Sequence, residues 1–266
     1  MLLQLIIQSF FFTFFVLATT DTEEKPDYCD PKWCPNQGHH IACNNDGSFG
    51  KKCMGKYWTE KLDEYQQLIL DLHNEVRNKL ALGNVPGFKS AARMPTLRWD
   101  TKLSKMSELN VKTCHFEHDE CRSTVDFPYC GQNIYFAQTT FTNYTMVDFI
   151  KEAVEMWFLE HKDCNMDVMG SFKVTEPQTG HFTALMTDRN DRVGCGYLQS
   201  VHKRRMKKPL HTIIFTCNYP STNIVGIPAY KPGPVASLCR EPHLVYKGLC
   251  AENESIDPND FIWYFK

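Results

Sequence analysis

Residues 180–220 decide the fold, and they read GHFTALMTDRNDRVGCGYLQSVHKRRMKKPLHTIIFTCNYP. His181 leads a short apolar segment, and two strand-like runs follow it, with Cys195 in the first run and Cys217 in the second. Cysteines in neighbouring strands can be bridged, because facing Cβ atoms lie within disulfide reach. The stretch therefore predicts a stapled hairpin beside His181. By itself it fits an incidental polar histidine as well as a functional one.

A basic run, residues 202–208 with the sequence HKRRMKK, separates the two strands of this hairpin. Charges between two strands predict a solvated loop, and binding of a heparin-like or phosphate group is the alternative. The whole chain has a formal net charge of only −2. That balance does not favour a nucleic acid or an anionic membrane as a partner.

The chain has 266 residues, which suit one large domain or one domain with extensions, and it contains 12 cysteines. Residues 1–20 hold an apolar run that ends in small residues, and acidic residues follow. This order predicts a cleaved signal peptide; a transmembrane anchor is the alternative, but the run is short and interrupted. An even number of cysteines in an exported chain predicts a secreted protein with a disulfide framework.

Two cysteine-containing segments flank the central part of the chain. Residues 21–58 carry four cysteines among turn-forming residues and predict a stapled loop segment; a zinc knuckle is the alternative, although the spacings are not those of zinc ligands. Residues 226–266 are rich in proline and predict an extended C-terminal extension stapled by its own cysteines. Sequons at Asn143 and Asn253 predict glycosylation sites.

Apolar spacing predicts helices in the central part. The first covers residues 59–82, and Thr59 is predicted to cap it. His73 lies at the edge of its apolar stripe, and we expect it to hold a neighbouring loop. The second covers residues 101–113 and is capped by Asp100.

A third helix is predicted for residues 146–161, where Thr145 and Asp148 form a capping-box-like pair. Glu160 lies one turn beyond Trp157 on the core-facing side, so its carboxylate needs a partner. Strands are predicted for residues 132–137, 192–200 and 210–218.

Four polar residues are the candidates for a functional site: His118, Gln132, Glu160 and His181. The sequence contains no glycine-rich phosphate loop and no GxSxG motif. An even cysteine count in an oxidised chain leaves no obvious thiol nucleophile.

Together with their neighbours, these residues form an ordered set of motifs that resembles the CAP superfamily of cysteine-rich secretory proteins, plant pathogenesis-related proteins and insect venom allergens. The matching motifs are HNEVR (residues 73–77), GQNI (131–134), Trp157 with Glu160, GHFT (180–183), GCG (194–196) and CNYP (217–220). The N-terminal segment GHHIAC (38–43) and the CHFEHDEC turn (114–121) resemble the antigen-five branch of insects.

The resemblance implies an α+β fold, an α/β/α sandwich with a small, mainly antiparallel sheet, for a CAP domain over residues 59–225. It implies a central cleft with two histidines, His118 and His181, and two acids, of which one is Glu160. Gln132 stands where the family has the second acid, so the charge of that group is lost and only a carbonyl acceptor remains.

The resemblance also implies a set of disulfides. These are Cys29–Cys43, Cys34–Cys121, Cys53–Cys114 and Cys195–Cys217. Cys239 and Cys250 are local to the C-terminal extension and are expected to pair. Cys130 lies two residues before Gln132 and Cys164 four after Glu160. If Gln132 and Glu160 share the cleft, these last two cysteines are neighbours and should form a sixth bridge.

The function that the resemblance implies is that of a secreted, non-enzymatic binding protein. Its partner would be a small apolar ligand (a lipid, sterol or eicosanoid), which we expect between helices, or an extracellular protein. One alternative is a zinc-dependent hydrolase using His118, His181 and Glu160. Another is a structural or immune-visible protein without a small ligand. No cofactor is required, and weak zinc binding by His118 and His181 is expected.

Overall fold

The computed structural model describes residues 26–34, 38–203 and 207–261. The predicted signal peptide, residues 1–20, lies outside the described residues, and so do residues 204–206 of the basic run. Within the described part, no helix is long and apolar enough to cross a membrane.

A five-stranded sheet forms the middle layer. Its strands are β1 (Lys56–Thr59), β2 (Arg98–Trp99), β3 (Gly131–Thr139), β4 (Arg192–His202) and β5 (Leu210–Tyr219). Four of them lie in the order β1-β4-β5-β3, with antiparallel neighbours, and the two-residue β2 pairs with β4 in parallel. The sheet is therefore mainly antiparallel, as predicted, and the predicted hairpin is its centre.

Helices cover both faces of this sheet. They are α1 (Gln66–Ala81), α2 (Thr101–Val111), α3 (Met146–Leu159), α4 (Met166–Gly170) and α5 (Gly180–Leu185). Helix α2 lies on one face, over β4 and β5, whereas α1, α3 and α5 pack together on the other. The three layers confirm the predicted α/β/α sandwich.

Two glycines of β4 let α2 approach the sheet closely. A Cβ atom on Gly196 would lie 2.7 Å from the backbone nitrogen of Glu108, and one on Gly194 would collide with the backbone at Ser104. The Ser107 hydroxyl donates to the carbonyl of Gly194 over 2.8 Å. The GCG motif thus serves the packing of helix against strand.

The opposite face of the sheet carries the main core. Trp157 of α3 stacks on Phe215 of β5 with ring centroids 5.8 Å apart, and Phe182 of α5 packs edge-on against Phe158. Ile69 of α1 is fully buried in the same cluster. Ile69 and Trp157 belong to predicted apolar helix stripes and Phe215 to a predicted strand, so this part of the core follows from the sequence pattern.

Helix ends were predicted with mixed success. Asp100 accepts from the Leu103 nitrogen over 2.8 Å, and Thr145 and Asp148 form the predicted capping box of α3. The prediction for Thr59 was wrong: Thr59 ends β1, where it pairs with Leu198, and α1 begins only at Gln66. Pairing with the edge of β4 extends this segment, so it cannot start the helix.

The prediction that His73 lies at the boundary of the apolar stripe was also wrong, because His73 is fully buried, with 0% of its surface exposed. Its Nδ1 lies 2.7 Å from the carbonyl oxygen of Ile69, and its Nε2 lies 3.1 Å from the Tyr219 hydroxyl. Tyr219 is 146 residues further along the chain. A contact across such a separation is invisible to local periodicity.

Five of the six expected disulfides are present. They are Cys29–Cys43, Cys34–Cys121, Cys53–Cys114, Cys195–Cys217 and Cys239–Cys250. The Cys195–Cys217 bridge joins directly opposed residues of β4 and β5, with Cα atoms 4.1 Å apart.

The expected Cys130–Cys164 bridge was wrong, since both cysteines are free. Cys130 lies near Asp100 and Arg122, on the face of the sheet that α2 covers. Cys164 follows α3 on the opposite face, near Thr179. The sheet separates the two thiols, although Gln132 and His181, the partner of Glu160, line one cleft.

Candidate functional site

A cavity of about 350 Å³ opens beside the start of β3 and of α5. Its walls include His118, His181, Gln132, Asn133, Phe172 and Val174. The two histidines are close enough that charge on His181 lowers the pKa of His118. The structure therefore brings both predicted histidines to one cleft, and it pairs each of them with another of the four candidate residues.

His181 is the second residue of α5 and is held by Glu160. Its Nδ1 lies 2.6 Å from Oε1 of Glu160, and Oε2 of the same carboxylate accepts from the backbone nitrogen of Phe182 over 3.0 Å. A carboxylate can only accept, so Nδ1 of His181 carries the proton. In the neutral form of the ring the lone pair is on Nε2, and this is the nitrogen left for the cavity.

His118 is held in the same way by an amide. Its Nδ1 lies 2.7 Å from Oε1 of Gln132. Nε2 of Gln132 donates to Oδ2 of Asp119 over 2.8 Å and to Oδ1 of Asn218 over 3.0 Å. Because Asp119 can only accept, the amide cannot be reversed, and Nδ1 of His118 must carry the proton. His118 also presents an Nε2 lone pair to the cleft.

The charge state of His118 follows from its surroundings. Desolvation by the cleft walls lowers the pKa of His118, and the hydrogen bond to Gln132 only partly opposes this effect. At neutral pH the ring is thus neutral, and its Nε2 acts as an acceptor.

Sequence reasoning missed a charged network behind Gln132. Oδ1 of Asp119 accepts from Nε of Arg122 over 2.6 Å, and Oδ2 accepts from Nδ2 of Asn110 over 2.8 Å. Arg122 also donates to the carbonyl of Cys130. The only available signal was Asp119 itself, within the turn between two disulfide-bonded cysteines.

Arg77 is a second omission, although it lies within a quoted motif. It is fully buried, and its two terminal nitrogens donate to four backbone carbonyls: Leu185, Thr187, Pro95 and Asn190. These bonds fix the turn that leaves α5, the helix of His181. Its spacing four residues after His73 marked one helix face but gave no sign of this role.

The cleft offers a metal ion two imidazole nitrogens. Within the described residues, no group of three or more His, Cys, Asp and Glu side chains could hold a metal ion. Catalytic zinc sites supply three protein ligands and structural sites four. The two imidazoles supply fewer ligands than either kind of zinc site needs, so weak zinc binding by His118 and His181 stays a prediction.

The layered fold, the stapled hairpin and a cleft with two partnered histidines are together the features of a CAP domain. A model of the family described as "CAP: Cysteine-rich secretory protein family" matches residues 70–219. The chain belongs to this family.

Its relatives include insect proteins named as allergens. The chain is 36% identical over 234 residues to venom allergen-1 of Aedes aegypti, covering 86% of this chain and 89% of the relative. It is 39% identical over 197 residues to the antigen 5 like allergen Cul n 1 of Culicoides nubeculosus, covering 70% and 85%. The insect antigen-five resemblance is thereby confirmed.

Solved structures show the same fold at lower identity. The crystal structure of NaASP2 with Zn²⁺ matches with a TM-score of 0.56 and 24% identity, over 71% of this chain and 96% of that one. This likeness supports the fold alone.

Proposed function

We propose that the protein is a secreted, non-enzymatic binding protein whose cleft receives a small, mostly apolar ligand. One observation carries the proposal: apart from the two imidazoles, the polar groups that could act as a base are already engaged, because they hold the histidines. Both oxygens of Glu160 accept hydrogen bonds, and the amide of Gln132 cannot serve as a general base at neutral pH.

Secretion is supported by the cysteines and by the predicted signal peptide. Five disulfides are the mark of an oxidising compartment. The names of the relatives described as allergens are compatible with secretion. Both sequons have exposed asparagines, Asn143 and Asn253, which supports their use for glycosylation.

The cleft is a better candidate for the ligand than the space between helices. Large apolar side chains such as Trp157 and Phe182 fill the region between α1, α3 and α5. The cavity beside His118, in contrast, has the apolar side chains of Phe172 and Val174 in its walls and a volume at the lower end of small-molecule sites. An extracellular protein target is the second candidate, because Val174 is 79% exposed at the rim.

The test is mass spectrometry of small molecules that copurify with the secreted protein. We expect a mostly apolar molecule that is lost when Val174→Asp places a charge in the cleft wall, and kept when the control Val225→Asp does so at a position outside the cleft. A protein free of any such molecule, which also binds none from a lipid extract, would contradict the proposal. Zinc-dependent hydrolysis abolished by Glu160→Gln would instead favour the hydrolase.

A further inference from the structure

Asn133 of β3 lies in the wall of the cleft and has an unmatched acceptor. The residue is 1% exposed. Its Nδ2 lies 3.1 Å from the backbone carbonyl oxygen of His181 and 3.5 Å from the Tyr219 hydroxyl. Its Oδ1 is buried without a hydrogen-bond donor from any described residue. A buried acceptor in this state is energetically unfavourable, so its orientation must be imposed by neighbours.

A chain of hydrogen bonds imposes that orientation. Nδ1 of His73 faces the carbonyl of Ile69 and therefore carries the proton, so Nε2 of His73 accepts from the Tyr219 hydroxyl. The Tyr219 oxygen is then free to accept from Nδ2 of Asn133. A reversed amide would set Oδ1 against the carbonyl oxygen of His181, where two acceptors would repel. Oδ1 of Asn133 is consequently the amide atom that has no hydrogen-bond partner among the described residues.

Three acceptors thus share one small cavity: Nε2 of His118, Nε2 of His181 and Oδ1 of Asn133. Two charged donors line the cavity: Arg122 is engaged with Asp119 and with the carbonyl of Cys130, and Lys173 is an exposed residue. The carboxylates of Asp119 and Glu160 stand directly behind Gln132 and His181. The side of the cavity that carries the three acceptors is therefore complementary to a group that offers several donors and a positive charge.

We propose that the cleft binds the primary ammonium group of a small amine with an apolar body. An ammonium group has three N–H donors, one for each of the three acceptors. The apolar body would lie along Phe172 and Val174, and the volume of about 350 Å³ suits a short chain. A carboxylate head group would meet three acceptors and is disfavoured. This inference rests on the proposed small-ligand function and narrows it to one class of ligand.

The experiment compares three probes that share one chain and differ in head group: octylamine, octanol and octanoate. Isothermal titration calorimetry with the whole secreted protein should show octylamine binding at least about tenfold more tightly than either of the others. Asn133→Ala should weaken octylamine binding by about tenfold, whereas Gln138→Ala, at an exposed position of the same strand, should leave it unchanged.

A second measurement uses only the wild-type protein, so it does not depend on whether the Asn133 variant folds. In ¹⁵N spectra of the wild type, octylamine should shift the Nε2 resonances of His118 and His181, because these nitrogens would accept its protons. Octanol or octanoate binding as tightly as octylamine would overturn the ammonium inference and leave the apolar-ligand proposal standing. Octylamine binding without movement of either Nε2 resonance would overturn the site. Failure of all three probes, together with no copurified molecule, would count against both proposals.

Discussion

The imidazole of His118 is held by the amide of Gln132, with 2.7 Å between Nδ1 and Oε1. In the family pattern an acid occupies this position, and the neighbour of Gln132 explains why an amide suits this chain. Asp119 accepts from the amide nitrogen over 2.8 Å. A second carboxylate at position 132 would face Asp119 with like charge, whereas glutamine offers an acceptor to His118 and a donor to Asp119.

The first prediction is that Gln132→Glu raises the pKa of His118 by about one unit or more. The new carboxylate would stabilise the imidazolium form of a ring whose pKa is now lowered by desolvation. An NMR titration of the ring protons measures the change. Gln138→Glu makes the same substitution at an exposed position of the same strand and should leave His118 unaffected. An unchanged or lower pKa in Gln132→Glu would show that Gln132 does not control this ring.

Sequence reasoning predicted the elements that repeat a local pattern. The Asp100 cap and the Thr145 capping box depend on residues three positions apart, and the strand pair around Cys195 and Cys217 depends on two neighbouring runs joined by one loop. The four cleft residues were predicted by resemblance to a family, and the structure brings them together as two pairs, His118 with Gln132 and His181 with Glu160.

Contacts between residues that lie in different layers of the fold could not be predicted from the sequence. The Cys130–Cys164 bridge failed because proximity to the cleft along the chain does not tell on which face of the sheet a thiol lies. The roles of Asn133 and Arg77 likewise depend on partners such as Tyr219 and Leu185 that only tertiary packing places beside them.

The second prediction concerns the two free thiols. The denatured, non-reduced protein should contain two reactive thiols, and in the native state Cys164 should be alkylated before Cys130. Burial raises the pKa of Cys130 to about 12 and that of Cys164 to about 11, so both react slowly, but Cys164 is half-exposed whereas Cys130 is buried. Timed iodoacetamide labelling with peptide mapping measures this. Cys164→Ser should remove the faster reaction, and a peptide joining Cys130 to Cys164 would contradict the prediction.

The third prediction is that zinc binds weakly through the two histidines. Calorimetry at pH 7.5 should detect zinc binding that disappears in the His118→Ala, His181→Ala double variant and persists in His202→Ala, which removes an exposed histidine outside the cleft. Glu160→Gln should weaken binding by about tenfold or more, since Glu160 orients His181.

Proton competition gives this zinc site a pH dependence. Binding should weaken as the pH falls below about 6.5, where an ordinary histidine protonates. Because desolvation lowers the pKa of His118, its Nε2 should remain available somewhat further into the acid range. Unchanged zinc binding in the double variant would place the ion elsewhere.

The fourth prediction is that His73 makes the fold sensitive to acid. Complete burial lowers the pKa of His73 to about 4, whereas an unfolded histidine titrates at about 6.5. Between these two values the unfolded chain binds a proton that the folded protein does not, so the free energy of unfolding decreases as the pH falls from about 6.5 to about 4. The gap corresponds to about 3 kcal/mol, an order-of-magnitude limit for this one group.

Urea denaturation at pH 7.0 and pH 4.5 separates this contribution from other acid effects. His73→Gln should lower the free energy of unfolding at pH 7.0 by about 1 kcal/mol or more, because the hydrogen bonds to Ile69 and Tyr219 are disturbed. The same variant should lose less of its stability on going to pH 4.5 than the wild type does, since it has no proton to take up on unfolding. His202→Gln, at an exposed position, should show the pH dependence of the wild type. Equal losses in His73→Gln and wild type would mean that the acid sensitivity arises from other groups, and that burial between α1 and β5 does not hold His73 in its neutral form.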